Sequence, residues 1–109
     1  MLGKKSTDTK INTLIGAGAE LSGDFTLDGS ARIDGKIGGN VTVTGSLILG
    51  AGSVVTGEVQ AASVLIGGEV TGNITAPEKA ELTASAKVLG DIATKVIVID
   101  EHAIFQGKI

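Results

Sequence analysis

The sequence has no cysteine, tryptophan or tyrosine, only one proline and one histidine, and two phenylalanines among its 109 residues. Without cysteine it can form neither disulfides nor thiolate metal centres, a composition compatible with a reducing cytoplasm. Without large aromatics a globular core has little bulk to fill it, so small aliphatics must take that role. Hydrophobic residues make up 42%, mostly Val, Ile, Leu and Ala, beside 17 glycines, a balance that disfavours both disorder and a collagen-like chain. No apolar run approaches the roughly 20 residues that span a bilayer. The opening Met1-Leu2-Gly3-Lys4-Lys5 lacks the apolar centre of a secretory signal, which predicts a protein retained in the cytoplasm.

The formal charge of -3 hides an asymmetry: residues 1–12 carry +2, from Lys4, Lys5 and Lys10 against Asp8, and the remainder carries -5. An acidic body argues against nucleic acid as the partner, because phosphate binding needs a basic patch. Residues 1–12 have no hydrophobic periodicity and read as a flexible basic tail.

From there the chain repeats. An apolar residue, any residue, glycine, any residue and an apolar residue recur six times, as in Val55-Thr56-Gly57-Glu58-Val59. The central glycines, Gly23, Gly39, Gly57, Gly72, Gly90 and Gly107, are spaced by 16, 18, 15, 18 and 17 residues. A period of this length is that of a solenoid. Three apolar ladders emerge: Ile15, Ile33, Leu49, Ile66, Leu82 and Ile99; Leu21, Ile37, Val55, Val70, Val88 and Phe105; Phe25, Val41, Val59, Ile74, Ile92 and Ile109. Around them apolar and polar residues alternate, as in Val41-Thr42-Val43, the period of strands with one buried face. The expected fold of residues 13–109 is all-β, a right-handed, three-faced parallel β-helix of about six rungs, its handedness following the default for parallel crossovers. Glycine, placed between two inward residues, is expected to face outward at a bend.

Such a rod cannot close on itself, and its end rungs expose unpaired backbone over an apolar cross-section, an arrangement that invites pairing. Solenoids usually protect these ends with caps, yet none is evident between the polar tail and Leu14-Ile15, or after Phe105-Gln106-Gly107-Lys108-Ile109. The candidate polymerisation interface is therefore Leu14, Ile15 and Phe25 at one end and Ile97, Ile99, Phe105 and Ile109 at the other. Aromatics fall only in these end rungs, either because a wide end has room for them or because they anchor end-to-end contacts. In the tail, Met1 and Leu2 beside Lys4 and Lys5 form a candidate membrane-targeting segment, each lysine attracted to anionic head groups by about 1 kcal/mol. An outward column, Leu14, Arg32, Ile48, Leu65, Glu81 and Val98, is apolar at four of its six positions. It is either scattered surface aliphatics or a lateral surface for bundling or membrane.

The six-turn pattern, the Met-Leu-Gly-Lys-Lys opening and the aromatic in the last rung together resemble the bactofilins, bacterial cytoskeletal proteins. The resemblance implies end-to-end filaments formed without nucleotide, with alternating rather than head-to-tail joints. It also implies attachment through an N-terminal tail to the cytoplasmic face of the inner membrane, and roles in cell shape or in localising cell-wall enzymes and other clients. The family often carries long proline-rich flanks, which this sequence does not show.

Catalytic signals are weak. His102 sits between Glu101 and Ala103, close to Asp100, as a solvated acidic turn, and Ser53, Ser63 and Ser85 have no histidine in their own rungs. Asp24, Glu58 and Asp91 read as exposed loop carboxylates. No cofactor, metal or nucleotide site is expected. Two alternatives stay open: a left-handed hexapeptide-repeat acyltransferase-like trimer, suggested by Leu14-Ile15-Gly16-Ala17-Gly18-Ala19 and Ile48-Leu49-Gly50-Ala51-Gly52-Ser53, and a monomeric solenoid adaptor.

Overall fold

Short β-branched and leucine-rich segments, each with alternating inward and outward residues, have one stable way to bury their apolar sides here: coiling around a common axis. The computed structural model describes residues 13–109; residues 1–12, with the candidate membrane segment Met1, Leu2, Lys4 and Lys5, lie outside the described residues. Seventeen strands of two to four residues form three parallel sheets of six, six and five strands.

The first face stacks Thr13–Ile15, Ala31–Ile33, Ser46–Leu49, Ser63–Ile66, Lys79–Leu82 and Ile97–Ile99. The second stacks Glu20–Ser22, Lys36–Gly38, Val54–Thr56, Glu69–Thr71, Lys87–Leu89 and Ile104–Gln106. The third stacks Phe25–Leu27, Val41–Val43, Val59–Gln60, Ile74–Ala76 and Ile92–Thr94. One strand from each face makes a rung. The third face has no sixth strand, because Ile109 follows Lys108 outside any ladder, although Lys108 still accepts a 2.7 Å hydrogen bond from the Ile92 amide.

The register is the one the ladders require. Ile33 pairs with Leu49, Val55 with Val70, and Ile74 with Val59 and Ile92. All twelve interior ladder residues, Ile33, Leu49, Ile66, Leu82, Ile37, Val55, Val70, Val88, Val41, Val59, Ile74 and Ile92, are at most 2% exposed. Each such side chain contributes about 1.5–3 kcal/mol on burial. A second inward column, including Ala31, Leu47, Val64 and Ala80, completes the axis on the first face.

Corner length varies while the strands hold register. Four-residue corners, Gly16–Ala19, Gly50–Ser53, Thr83–Ala86 and Asp100–Ala103, each close with a backbone hydrogen bond from the fourth residue to the first. Ser53, buried inside one of them, donates its hydroxyl to the Gly50 carbonyl at 2.7 Å, which makes it structural. The two-residue corners Asp34-Gly35 and Gly67-Gly68 nest against the preceding four-residue ones, where a Cβ on Gly35 or Gly68 would meet backbone of residues 16–19 or 50–53.

The repeated glycines correct one expectation. At the stacked corner Gly23, Gly39, Gly57, Gly72, Gly90 and Gly107, a Cβ from the second member onward would not point to solvent. It would point along the rod into the carbonyl of the preceding rung's glycine. The rungs sit closer at this corner than any side chain permits.

Candidate assembly surfaces

A solenoid leaves its first and last rungs with partners on one side only. Among the described residues, Thr13–Ile15 pairs only with Ala31–Ile33, and Ile104–Gln106 only with Lys87–Leu89. Among the described residues the large hydrophobics that remain exposed are Leu14 at 66%, Leu21 at 38%, Val96 at 46%, Val98 at 43%, Ile99 at 39%, Ile104 at 50% and Ile109 at 61%. Every one of them lies in the first or the last rung.

The candidate interface residues divide into two kinds. Ile15, Phe25, Ile97 and Phe105 are half-buried and pack against the core, so they cover the ends of the aliphatic axis while presenting one side outward. Ile99 and Ile109, and Leu21 of the second ladder, are open to solvent, so these three end-rung ladder members do not fill the axis as the ladder pattern predicts. Leu14 stands on the outer flank of the first face. Sequence reasoning missed Val96 and Ile104, whose neighbours Lys95 and Ala103 give no sign that they border an end. Their signal was position in the last turn.

The corner after the stacked glycines carries a second ladder, which corrects the view of Asp24 and Asp91, though not of Glu58, as plain loop carboxylates. The side-chain oxygens of Asp24, Asn40, Asn73 and Asp91 accept hydrogen bonds from the backbone amides of Asn40, Glu58, Asp91 and Lys108, one rung on, at 3.0–3.1 Å. A short Asx side chain is what spans one rung here. Asn73→Ala is expected to lower stability by about 1 kcal/mol, measured by urea unfolding, since it leaves the Asp91 amide to water. An unchanged midpoint would contradict the role given to this ladder.

His102 belongs to an exposed corner. Its backbone amide donates to the Asp100 carboxylate at 2.9 Å and its ring Nδ1 lies 3.1 Å from the same oxygen, while Glu101 is 3.8 Å from Nε2. These contacts, the backbone hydrogen bond first, hold the Asp100 carboxyl below the usual carboxylate range. The geometry orders the corner and leaves the ring in solvent, with no buried base or nucleophile beside it.

A rod with a dry axis and, among the described residues, open strand edges and exposed large aliphatics gathered at both tips belongs to the class of parallel β-solenoids. Comparison with known proteins narrows this. A family model described as bactofilin, polymer-forming cytoskeletal, matches residues 13–109. The cryo-EM reconstruction of double helical filaments of bactofilin from Thermus thermophilus is 38% identical, covers 89% of this chain and 97% of that one, and superposes with a TM-score of 0.84. The crystal structure of the F105R mutant of bactofilin from Thermus thermophilus is 39% identical, covers 81% of this chain and 98% of that one, and has a TM-score of 0.76. No curated protein sequence matches the chain. The chain belongs to the bactofilin family of polymer-forming cytoskeletal proteins.

Proposed function

We propose that this protein joins end to end, without nucleotide, into filaments of two wound strands that lie on the cytoplasmic face of the inner membrane. There they support cell shape or hold cell-wall enzymes in place. The observation that carries the reading is the segregation of exposed aliphatics: among the described residues all seven large ones occupy the first or last rung. At a joint the unpaired strand edges continue one another's ladders and the aliphatic tips leave water together, at about 25 cal/mol per Å² buried. The two-stranded form is taken from the Thermus relative. Sedimentation of the purified chain in nucleotide-free buffer tests the polymer: material that pellets without a fixed size is expected, and a discrete trimer or monomer would overturn it.

The membrane and client roles rest on the family resemblance and on the tail's chemistry. Two apolar residues and two lysines bind a lipid surface weakly, but a filament presents many copies, and each later contact is effectively intramolecular. Polymerisation and attachment therefore reinforce one another. Deleting residues 2–5 is expected to leave filaments intact and abolish their flotation with vesicles containing anionic lipid. Unchanged flotation would remove the tail from the account.

A further inference from the structure

The first face carries a surface that the tip-to-tip joints reach only at its two ends, Leu14 and Val98. Its outward column runs the whole rod in strict register: Leu14 beside Arg32, Arg32 beside Ile48, Ile48 beside Leu65, Leu65 beside Glu81, and Glu81 beside Val98. Successive members stand about 4.8 Å apart. Read from either tip, the order is aliphatic, charged, aliphatic, aliphatic, charged, aliphatic, and the two charges have opposite sign.

That order is complementary to its own reverse. Turn a second copy about an axis parallel to the strands, lay it antiparallel on the first, and Leu14 falls on Val98, Arg32 on Glu81 and Ile48 on Leu65. Every apposition is apolar on apolar or cation on anion. The same contact made parallel sets Arg32 on Arg32 and Glu81 on Glu81, a like-charge clash at both places.

Neighbouring side chains extend the match. Arg32 Nε is held 2.9 Å from Asp34 Oδ2 and Lys79 Nζ lies 3.6 Å from Glu81 Oε1, with both pairs partly exposed. Antiparallel apposition lines them up as Lys79, Glu81, Arg32 and Asp34, alternating in sign across the two copies. Beside the column, the small Ser46 and Ser63 leave a shallow groove of about 300 Å³, so Ile48 and Leu65 can be approached from above.

The other faces lack this property. On the second face the column is Glu20, Lys36, Val54, Glu69, Lys87 and Ile104. Antiparallel pairing there sets Lys36 on Lys87 and Val54 on Glu69. The third face offers Thr26, Thr42, Gln60, Thr75 and Ala93, a mostly polar column with no large aliphatic to bury.

We propose that this column is the lateral contact between the two strands of the filament, and that its occupant is a second copy of this chain, laid antiparallel with Arg32 on Glu81. The contact is isologous, the same patch on both sides. It rests on the filament reading above. One patch is narrow and holds a pair of subunits weakly; along two filaments the patches act together. Lateral pairing thus follows end-to-end growth.

Charge reversal tests it by electron microscopy of filament width. The unsubstituted chain is expected to form two-stranded filaments. Arg32→Glu and Glu81→Arg are each expected to form single strands, and Arg32→Glu with Glu81→Arg together to restore the second strand. Two-stranded filaments in both single variants, or no restoration in the double, would overturn the proposal. Single strands from the unsubstituted chain would overturn it too and leave end-to-end growth standing.

Because the chain has no cysteine, Arg32→Cys and Glu81→Cys give a second readout that needs no filament. Oxidation is expected to cross-link a mixture of the two variants and neither variant alone. Cross-linking of either alone reports a parallel contact, and no cross-link in the mixture reports none; both refute the assignment. Absence of filaments from the unsubstituted chain would defeat the polymer reading, with the cross-link still deciding this one.

Discussion

Gly72→Ala is expected to abolish folding or to lower stability by more than about 4 kcal/mol, a large part of the 5–15 kcal/mol typical of a domain. Gly72 adopts a φ of +145°, a region that side chains rarely enter and that costs about 1–3 kcal/mol by itself. An added Cβ would also run into the carbonyl of Gly57. Neither partner can retreat, because 2.9 Å hydrogen bonds from the Gly57 amide to Thr71 and from the Gly72 amide to Leu89 tie three successive rungs together. Gly52→Ala is the matched control. Nothing lies within 4 Å of a Cβ there, and alanine, which loses less backbone entropy on folding, is expected to leave stability within about 1 kcal/mol or raise it slightly. Circular dichroism through a urea titration measures both. Equal losses would mean that glycine at the stacked corner serves no close approach.

Phe105→Arg is expected to leave the fold intact and remove filaments altogether. Phe105 stacks on Val88 and is half-buried in the last rung, with exposed Ile99, Ile104 and Ile109 nearby. In a free subunit an arginine there can reach water along its aliphatic stem, so the cost to folding is small. In a joint the guanidinium would be shut into an apolar contact without a partner, at a cost of about 3–5 kcal/mol, or roughly a hundred- to several thousandfold per joint. The F105R mutant of the Thermus relative crystallises in the same fold. Size-exclusion chromatography of the variant also reads the direction of the joints. Alternating joints leave the first-rung contact intact and give dimers, the result expected here, whereas head-to-tail joints give monomers. Filaments of normal length would refute the role of Phe105.

The interior was legible because a solenoid's core obeys a one-dimensional rule. Ile33, Val55 and Ile74 could be placed in register by counting, since a strand period of two and a turn of about 17 residues leave no other way to bury all three ladders. The corners were not legible in the same way. Glycine at 57 or 72 reads equally well as a bend or as a close approach, and only the position of the preceding carbonyl decides between them. Asp24 and Asp91 looked like solvated carboxylates because their partners are backbone amides 16 and 17 residues away, which carry no side-chain signature. The tips were half legible: Phe25 and Phe105 marked the end rungs, but the exposure of Leu21, Val96 and Ile104 depends on the absence of a neighbouring rung. The outward first-face column was countable from sequence; its reverse complementarity needed the register of all six strands.

Fourier analysis of cryo-EM images of the filaments reports most directly on whether uncovered tips of a dry aliphatic rod continue one another's sheets. A meridional reflection near 4.8 Å is predicted to run unbroken through the joints, with a subunit repeat of about 29 Å, or twice that for alternating joints. Discrete particles, or filaments whose axis crosses the strand-stacking direction, would contradict it.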